Sequence, residues 1–463
     1  MTHLIIGAGI AGLAAAHELR ERGEEFTIIE AAHRVGGVIS SLRTEGFLLE
    51  KGPRTIAGAA PTLRRLVEAA GLSDECRSSN PASQTRYVFS KGALHPVPHG
   101  PGELWRSKLL SFGAKARILA EPLIPRGGQP KESIEDFVSR RFGREASSRL
   151  ADPMCAGIFG GHPSALGIEA FGRASALEQE HGSILVGMAR SIRSRKERGE
   201  GVHSLLSFDQ GLQQLTDSLA TMLGSSLRLG TQVTAIKKYA GGFTVCCQSP
   251  AAEGRGSEEF QAERLTLAVP APVAAQLLQP LSPQLSVELG AIYHAPIAVV
   301  ALGFAREAIA HPLDGFGLLR CSDSPLPGAD PILGILFSSS IFDGRAPEGK
   351  VLLEVMMGGA RDPNALAAAD SELLQRALQA TKVLLGSQGE HCFHAITRWQ
   401  NVLPQYQPGH NQLIQSIERA ACELGPLRLA GNYLRGVGVE GAAASGVAAV
   451  SQASSSLSSN TVG

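Results

Sequence analysis

Residues 4–12 read LIIGAGIAG, an apolar run that breaks into three glycines at Gly7, Gly9 and Gly12. A second apolar run, FTIIE, closes on Glu30. The order predicts a strand, a tight glycine turn, a helix over 10–20, a second strand and an acid. Each part has a physical task. Gly7 allows the strand-to-helix turn, and Gly9 lets backbone N–H groups approach a pyrophosphate at the helix N-terminus. Gly12 lets helix and strand pack closely, and the carboxylate of Glu30 accepts from a ribose hydroxyl. An acid here also disfavours a 2′-phosphate, because two negative groups would face each other. The pattern points to an α/β nucleotide-binding unit that holds the first half of a dinucleotide.

The next residues, AAHRVGGVISS, place Arg34, Gly36 and Gly37 in a loop. Such a loop suits a long, buried cofactor: Arg34 could neutralise phosphate, and the glycine pair could pass close to a flavin ring or its ribityl chain. A surface turn with a solvated arginine is the other reading. The carboxyl-terminal stretch PLRLAGNYLRGVGVEGAAASGVAAVSQASSSL reads as a strand, a glycine-rich loop and a small-residue helix. Gly436, Gly438 and Gly441 bracket the helix start. Amides there could hold a phosphate or an electron-rich flavin edge. A tightly packed helix needing small residues explains the same stretch without a ligand.

A chain of 463 residues exceeds one core and suggests two or three domains. Lysine plus arginine balance aspartate plus glutamate at 43 each, so nucleic acid is not an expected partner. The seven cysteines lack metal-ligand spacing and fit reduced thiols in a cytosolic compartment. The first strand starts so near Met1 that no signal or transit peptide is expected. No uncharged apolar run reaches the ~18 residues of a membrane span.

Between the two glycine motifs, residues 97–204 look mostly helical, most clearly at 133–142 and 144–151. An amphipathic helix with Leu212, Leu215, Leu219 and Leu223 inward is expected within 208–230. TQVTAIKKY and GGFTVCCQ alternate like paired strands, with a polar tip at 250–259. ERLTLAVPAP is a further short strand. Strands near 298–304, 334–338 and 351–356 suggest a separate antiparallel sheet, and 367–385 a plain helix.

GAGIAG, AAHRVGG, LEKGPRT (49–55) and GNYLRGVGVEG resemble the glutathione-reductase-related FAD oxidases that include amine oxidases. Four further stretches resemble the protoporphyrinogen oxidase family: TRYVFSKGALHPVP (85–98), ADPMCAGIFGG (151–161), DGFGLL (314–319) and RWQNVLPQYQPGH (398–410). The resemblance covers nearly the whole chain. It departs at Glu440-Gly441, where many members carry Asp-Cys.

The resemblance implies a Rossmann-like FAD-binding domain over 1–72, 207–275 and 396–463. It implies an antiparallel-sheet substrate domain over 73–96 and 276–395, and a helical, membrane-associating domain over 97–206. It implies oxidation of protoporphyrinogen IX to protoporphyrin IX in haem biosynthesis, by three two-electron steps in which O₂ is consumed and peroxide released. On the substrate, Arg86 would pair with a propionate, since a guanidinium fork matches a carboxylate. Gly157 would leave room beside the macrocycle. Phe316 and Leu319 would sandwich a pyrrole, with Leu336 and Met356 completing an apolar wall. Cofactor contacts would come from Gly7, Gly9, Ile10, Ala11 and Gly12, and from Glu30, Ala31, Arg34, Gly36 and Gly37. Gly52, Pro53, Arg54, Val233 and Trp399 would add to them, together with Gly431, Asn432, Gly436, Val437, Gly438 and Val439. No general base is assigned; His95 and Tyr406 read as structural residues.

The segment 105–126 mixes Trp105, Leu109, Leu110, Phe112, Leu123 and Ile124 with five basic residues and the single acid Glu121. It reads equally as an interfacial segment on anionic lipid or as ordinary helix packing with snorkelling cations. The run 190–204 reads as a mobile loop rather than an anchor. The expected location is the cytoplasm, peripheral on the cytoplasmic face of the cell membrane. The resemblance adds a homodimer and hand-over of product to a ferrochelatase as expected partnerships. Three other functions compete: coproporphyrinogen oxidation on the same scaffold, amine oxidation, and a non-catalytic escort.

Overall fold

The computed structural model describes residues 2–129, 131–197, 204–251 and 254–455. A five-stranded parallel sheet is assembled from remote pieces of chain. Its order is Leu227–Arg228, Phe26–Ile29, His3–Ile6, Arg264–Leu267 and Leu427–Leu429. These strands are short and apolar because both faces are covered, as parallel sheets require. One face packs on the helices Ile10–Glu21, Pro61–Ala69, Gln213–Thr221 and Val439–Ser455. Leu212, Leu215, Leu219 and Leu223 are buried there, as their spacing predicts. The other face carries the helices Ala271–Leu278, Pro283–Gly290 and His410–Glu423 and an antiparallel sheet of Gln232–Tyr239, Gly242–Ala251 and Gly254–Ala262. The expected polar tip at 250–259 is therefore mostly strand: pairing continues to Pro250 opposite Arg255 and Ala251 opposite Gly254. Backbone pairing overrides the polar composition.

A second sheet has seven strands, ordered Phe393–Pro404, His294–Ala305, Lys350–Gly358, Ile332–Leu336, Gly317–Arg320, Arg86–Ser90 and Ala93–Pro96. It is antiparallel except for one parallel pair, Gly317–Arg320 beside Arg86–Ser90. The expected domain boundary at 395/396 falls inside the strand Phe393–Pro404. Alternation along Lys350–Gly358 sends Leu353, Val355 and Met357 beneath the helix Asp370–Leu385, which begins three residues later than expected. Met356 points to the opposite face.

The stretch 97–197 is helical, with helices Pro101–Arg106, Phe112–Leu119, Ile134–Phe142, Asp152–Phe159, Gly172–His181 and Ile184–Glu197. The expected helix at 144–151 is helical only to Ala146, and a wider helical turn continues to Ala151. The expected loop at 190–204 is corrected in its first part, because 190–197 belongs to the helix Ile184–Glu197; residues 198–203 lie outside the described residues. The cause is remote in sequence. Glu121, fully buried, accepts from the N–H groups of Ile184 and Leu185 and from Ser183 Oγ, and pairs with buried Arg141. Burial raises its pKa, but these donors outweigh burial and hold the carboxyl below its ordinary range. Among the described residues no helix is long and apolar enough to cross a membrane.

Candidate active site

The first strand ends at Ile6 and turns at Gly7, whose φ of +102° and 2.6 Å approach to Ala268 O leave no room for a side chain. A Cβ on Gly12 would stand 1.9 Å from Gly7 O, so helix and strand touch through bare backbone. Glu30 ties the two loops together, accepting from Ala8 N–H at 2.7 Å and Ala32 N–H at 2.9 Å. Ala31 beside it is exposed. Gly9 forms a bridge with Gly36, and Gly36 N–H donates to Ala8 O. A Cβ on Gly37 would meet Gly9 Cα at 3.4 Å. Arg34 spends its guanidinium on the carbonyls of Val35, Gly37 and Ile39. It is thus a fixed cation of its own loop rather than a mobile arm.

The fit of a dinucleotide is tested by Gly9 itself. Its φ of −69° and ψ of 177° suit any residue, and no protein atom lies within 4 Å of a Cβ built there. Nothing in the chain requires glycine at this point, and the clearance leaves room for a group outside the chain at the start of the helix Ile10–Glu21. Gly438 has the same freedom. No side chain caps the helix Ile10–Glu21, which leaves its first N–H groups for an anion. Ile10 and Ala11 are buried, and Ala11 O lies 1.9 Å from the Cβ position of Gly446 in the helix Val439–Ser455. The two glycine motifs, remote in sequence, therefore share one helix pair. The residues present fit FAD.

Glu440 departs from the pattern for a structural reason. Its carboxylate accepts from Thr62 and Leu63 N–H at 3.0 and 2.9 Å, capping the helix Pro61–Ala69. Val437 packs against the cluster around Phe159, and Val439 against the core under the parallel sheet. Gly431 N–H donates to Ser445 Oγ. Val233 packs below the parallel sheet; Thr231 just before it donates to Glu30 O.

Residues 51–54 bring the parallel sheet's motifs to the seven-stranded sheet. Trp399 Nε1 donates to Lys51 O at 2.7 Å. Arg54 donates to Gly52 O and pairs with Glu354, Nε to Oε2 at 2.9 Å; Pro53 lies between them. A Cβ on Gly52 would strike Val38 O. Glu354 is buried, also receives the Ser338 hydroxyl, and stands in register with Leu336. It shares a face with Met356. The sequence reading missed Glu354; a lone carboxylate in the apolar run VLLEVMM was the available signal.

That face carries an apolar cluster of Ala156, Val299, Leu333, Leu336 and Met356, against which Phe316 and Leu319 pack. A Cβ on Gly157 would lie 2.8 Å from a methyl of Leu319. Met154, Gly157 and Ile158 share the open side of their helix. The Arg86 guanidinium lies 5.1 Å from the Phe316 ring centroid. The structure thus brings the six expected substrate residues into one connected group of contacts. His95 is half-buried in its strand, opposite Val88.

The family model described as flavin containing amine oxidoreductase matches residues 10–453. A chloroplastic protoporphyrinogen oxidase of Nicotiana tabacum is 33% identical over 472 residues, covering 95% of this chain and 83% of that protein. A coproporphyrinogen III oxidase of Bacillus subtilis is 28% identical, covering 97% of each. A crystal structure from Exiguobacterium sp. 255-15, provisionally described as a protoporphyrinogen oxidase, superposes with a TM-score of 0.81 at 25% identity over 99% of both chains. Glycine loops cleared for a dinucleotide, and a chain-long match to enzymes of one kind, lead to the same place: the chain is an FAD-dependent oxidoreductase and belongs to the flavin-containing amine oxidoreductase family.

Proposed function

We propose that the enzyme oxidises protoporphyrinogen IX to protoporphyrin IX in porphyrin biosynthesis, with O₂ as the electron acceptor. The observation that supports this reading is an apolar face of Leu336 and Met356 with Phe316 and Leu319 packed on it, where Gly157 faces Leu319 and the cation Arg86 lies over Phe316. The chemistry that bound FAD supplies is acceptance of a hydride and return of its electrons to O₂. Gly7–Gly12, Glu30, residues 34–37 and 431–439 would hold it. The protein's own work is positioning. Arg86 anchors a propionate, and the apolar wall excludes water. Trp399 and Glu354 fix the 51–54 segment beside that wall. No side chain need take a proton in the hydride step, because the product's conjugation drives the reaction.

Coproporphyrinogen III is the second reading, favoured by the Bacillus subtilis relative's name. A tetracarboxylate asks for more cations than Arg86 alone. Relative rates of anaerobic flavin reduction by the two porphyrinogens test the reading. Faster reduction by protoporphyrinogen supports it; a strong preference for coproporphyrinogen overturns it.

Peripheral attachment to anionic lipid through 105–126 belongs to the same reading. Phe112 and Leu123 are 69% and 82% exposed, and Trp105 meets Phe112 edge-on. Arg106, Lys108 and Arg126 are exposed nearby, while the segment's one acid, Glu121, is buried. Sedimentation with anionic but not zwitterionic vesicles is the expected result. The same reading locates the enzyme in the cytoplasm, on the inner membrane face, as a homodimer that passes product to a ferrochelatase. Light scattering and a coupled chelation assay test the last two points.

A further inference from the structure

Residues 405–410 join the strand Phe393–Pro404 to the helix His410–Glu423. Tyr406 is buried, and its hydroxyl donates to Asn432 O at 2.5 Å while accepting from Gly436 N–H at 2.8 Å. One hydroxyl therefore closes both ends of an irregular stretch of the carboxyl-terminal glycine loop. The His410 ring stacks on Tyr406 at 4.0 Å between centroids and 10° between planes. Its Nε2 lies 2.9 Å from Tyr433 O and 3.1 Å from Leu434 O. Carbonyls only accept, so Nε2 carries the proton. Burial holds the ring's pKa below its ordinary 6.5, which keeps Nδ1 unprotonated. Together the two side chains satisfy three consecutive carbonyls and one amide of a stretch without helix or strand to satisfy them.

The same segment grips the substrate side. Gln405 Nε2 donates to Phe159 O at 2.7 Å, and Gly167 N–H donates to Tyr406 O at 2.7 Å. Phe159 ends the helix that presents Gly157 to Leu319.

We propose that Tyr406 and His410 are positioning residues for the flavin: they fix the 431–439 loop, and Gln405 ties it to the Gly157 helix. Loop and apolar face then keep one separation. The inference rests on the reading that FAD meets this loop. Packing alone would need neither the paired use of one hydroxyl nor two carbonyls on one imidazole. Gly438, cleared of protein atoms, lies just beyond the clamped stretch, at the start of a helix whose dipole favours a reduced, anionic ring. A loop released at Asn432 and Gly436 would reorient those amides.

Tyr406→Phe removes the hydroxyl and little else. In FAD-replete protein we expect FAD release to accelerate about tenfold, the visible flavin band to shift, and kcat to fall about tenfold at an unchanged KM. His410→Phe keeps a ring in the stack, loses both donations, and carries the same expectation if Tyr406→Phe does not fold. Gln405→Ala, which frees only the substrate side, raises KM and leaves FAD release unaltered. Wild-type FAD release, spectrum and kcat in Tyr406→Phe, with only a lower melting temperature, would overturn the inference. Wild-type protein that binds no FAD would instead overturn the reading beneath it.

Discussion

Arg54 holds Glu354 with two hydrogen bonds, at 2.9 and 3.3 Å, across 300 residues of sequence. The pair joins the 51–54 segment to the strand that bears Met356. Glu354 is almost wholly buried and Arg54 largely so. Removing the negative charge while keeping the shape leaves a largely desolvated guanidinium without its partner. Glu354→Gln is therefore expected to cost about 3 kcal/mol, read by denaturant unfolding, and to lower the FAD retained on purification.

Gly157→Ala separates the fit beside Leu319 from the fold. The new methyl would press on the ends of Leu319, which can swing, and alanine favours a helix by about 1 kcal/mol. Melting temperature should hold, while the KM for porphyrinogen rises about tenfold. A fall in stability at unchanged KM would place Leu319 away from substrate.

Arg86→Ala tests the anchor. Arg86 is exposed, donates to Gln84 O at 3.4 Å and lies over the Phe316 ring. Its loss should raise KM about tenfold and leave the flavin spectrum as in the wild type. A colourless variant would show that Arg86 supports the fold.

Gly9→Val should fold and be colourless. The backbone there accepts a β-branched residue, and no protein atom crowds the position. Circular dichroism should match the wild type while flavin absorbance per protein falls to background. Bound flavin in the variant would contradict the cleared-glycine argument.

Four buried imidazoles set an acid limit. Burial lowers the pKa of His3 to about 4, and those of His17, His294 and His410 below 6.5. Each takes up its proton at a lower pH in the folded chain than in the unfolded chain, where uptake lies near 6.5. Stability is therefore complete above 6.5 and drains as pH falls, by about 1.4 kcal/mol per pH unit for each ring within its window. For His3 the window runs down to about 4. Melting temperatures between pH 7 and 4 check this, and His3→Gln should flatten the slope.

The cofactor loops were legible because glycine spacing is local: Gly7, Gly9 and Gly12 lie on one turn. The expected substrate residues were named from short stretches such as DGFGLL, in which Phe316 stands just before one strand and Leu319 within it. What could not be read depends on partners far apart. Glu121 stood out only as the single acid of its segment, its partners Arg141, Ser183 and the amides of Ile184 and Leu185 being remote, and the later part of the helix it caps looked like a loop. Glu440 looked only like a departure from the family pattern, yet it caps a helix nearly 380 residues earlier. Tyr406 looked like packing because its two partners lie beyond the next helix.

The parallel sheet is completed by Leu427–Leu429, and the helix Val439–Ser455 lies on Ala11. A ribosome must therefore release the chain as far as that helix before the amino-terminal layer finds its neighbour. Until then the opening unit waits half-covered while the intervening sheet and helices mature. Capture of the prosthetic group is then expected to follow that docking, and a message cut short before Val439 should yield polypeptide without colour.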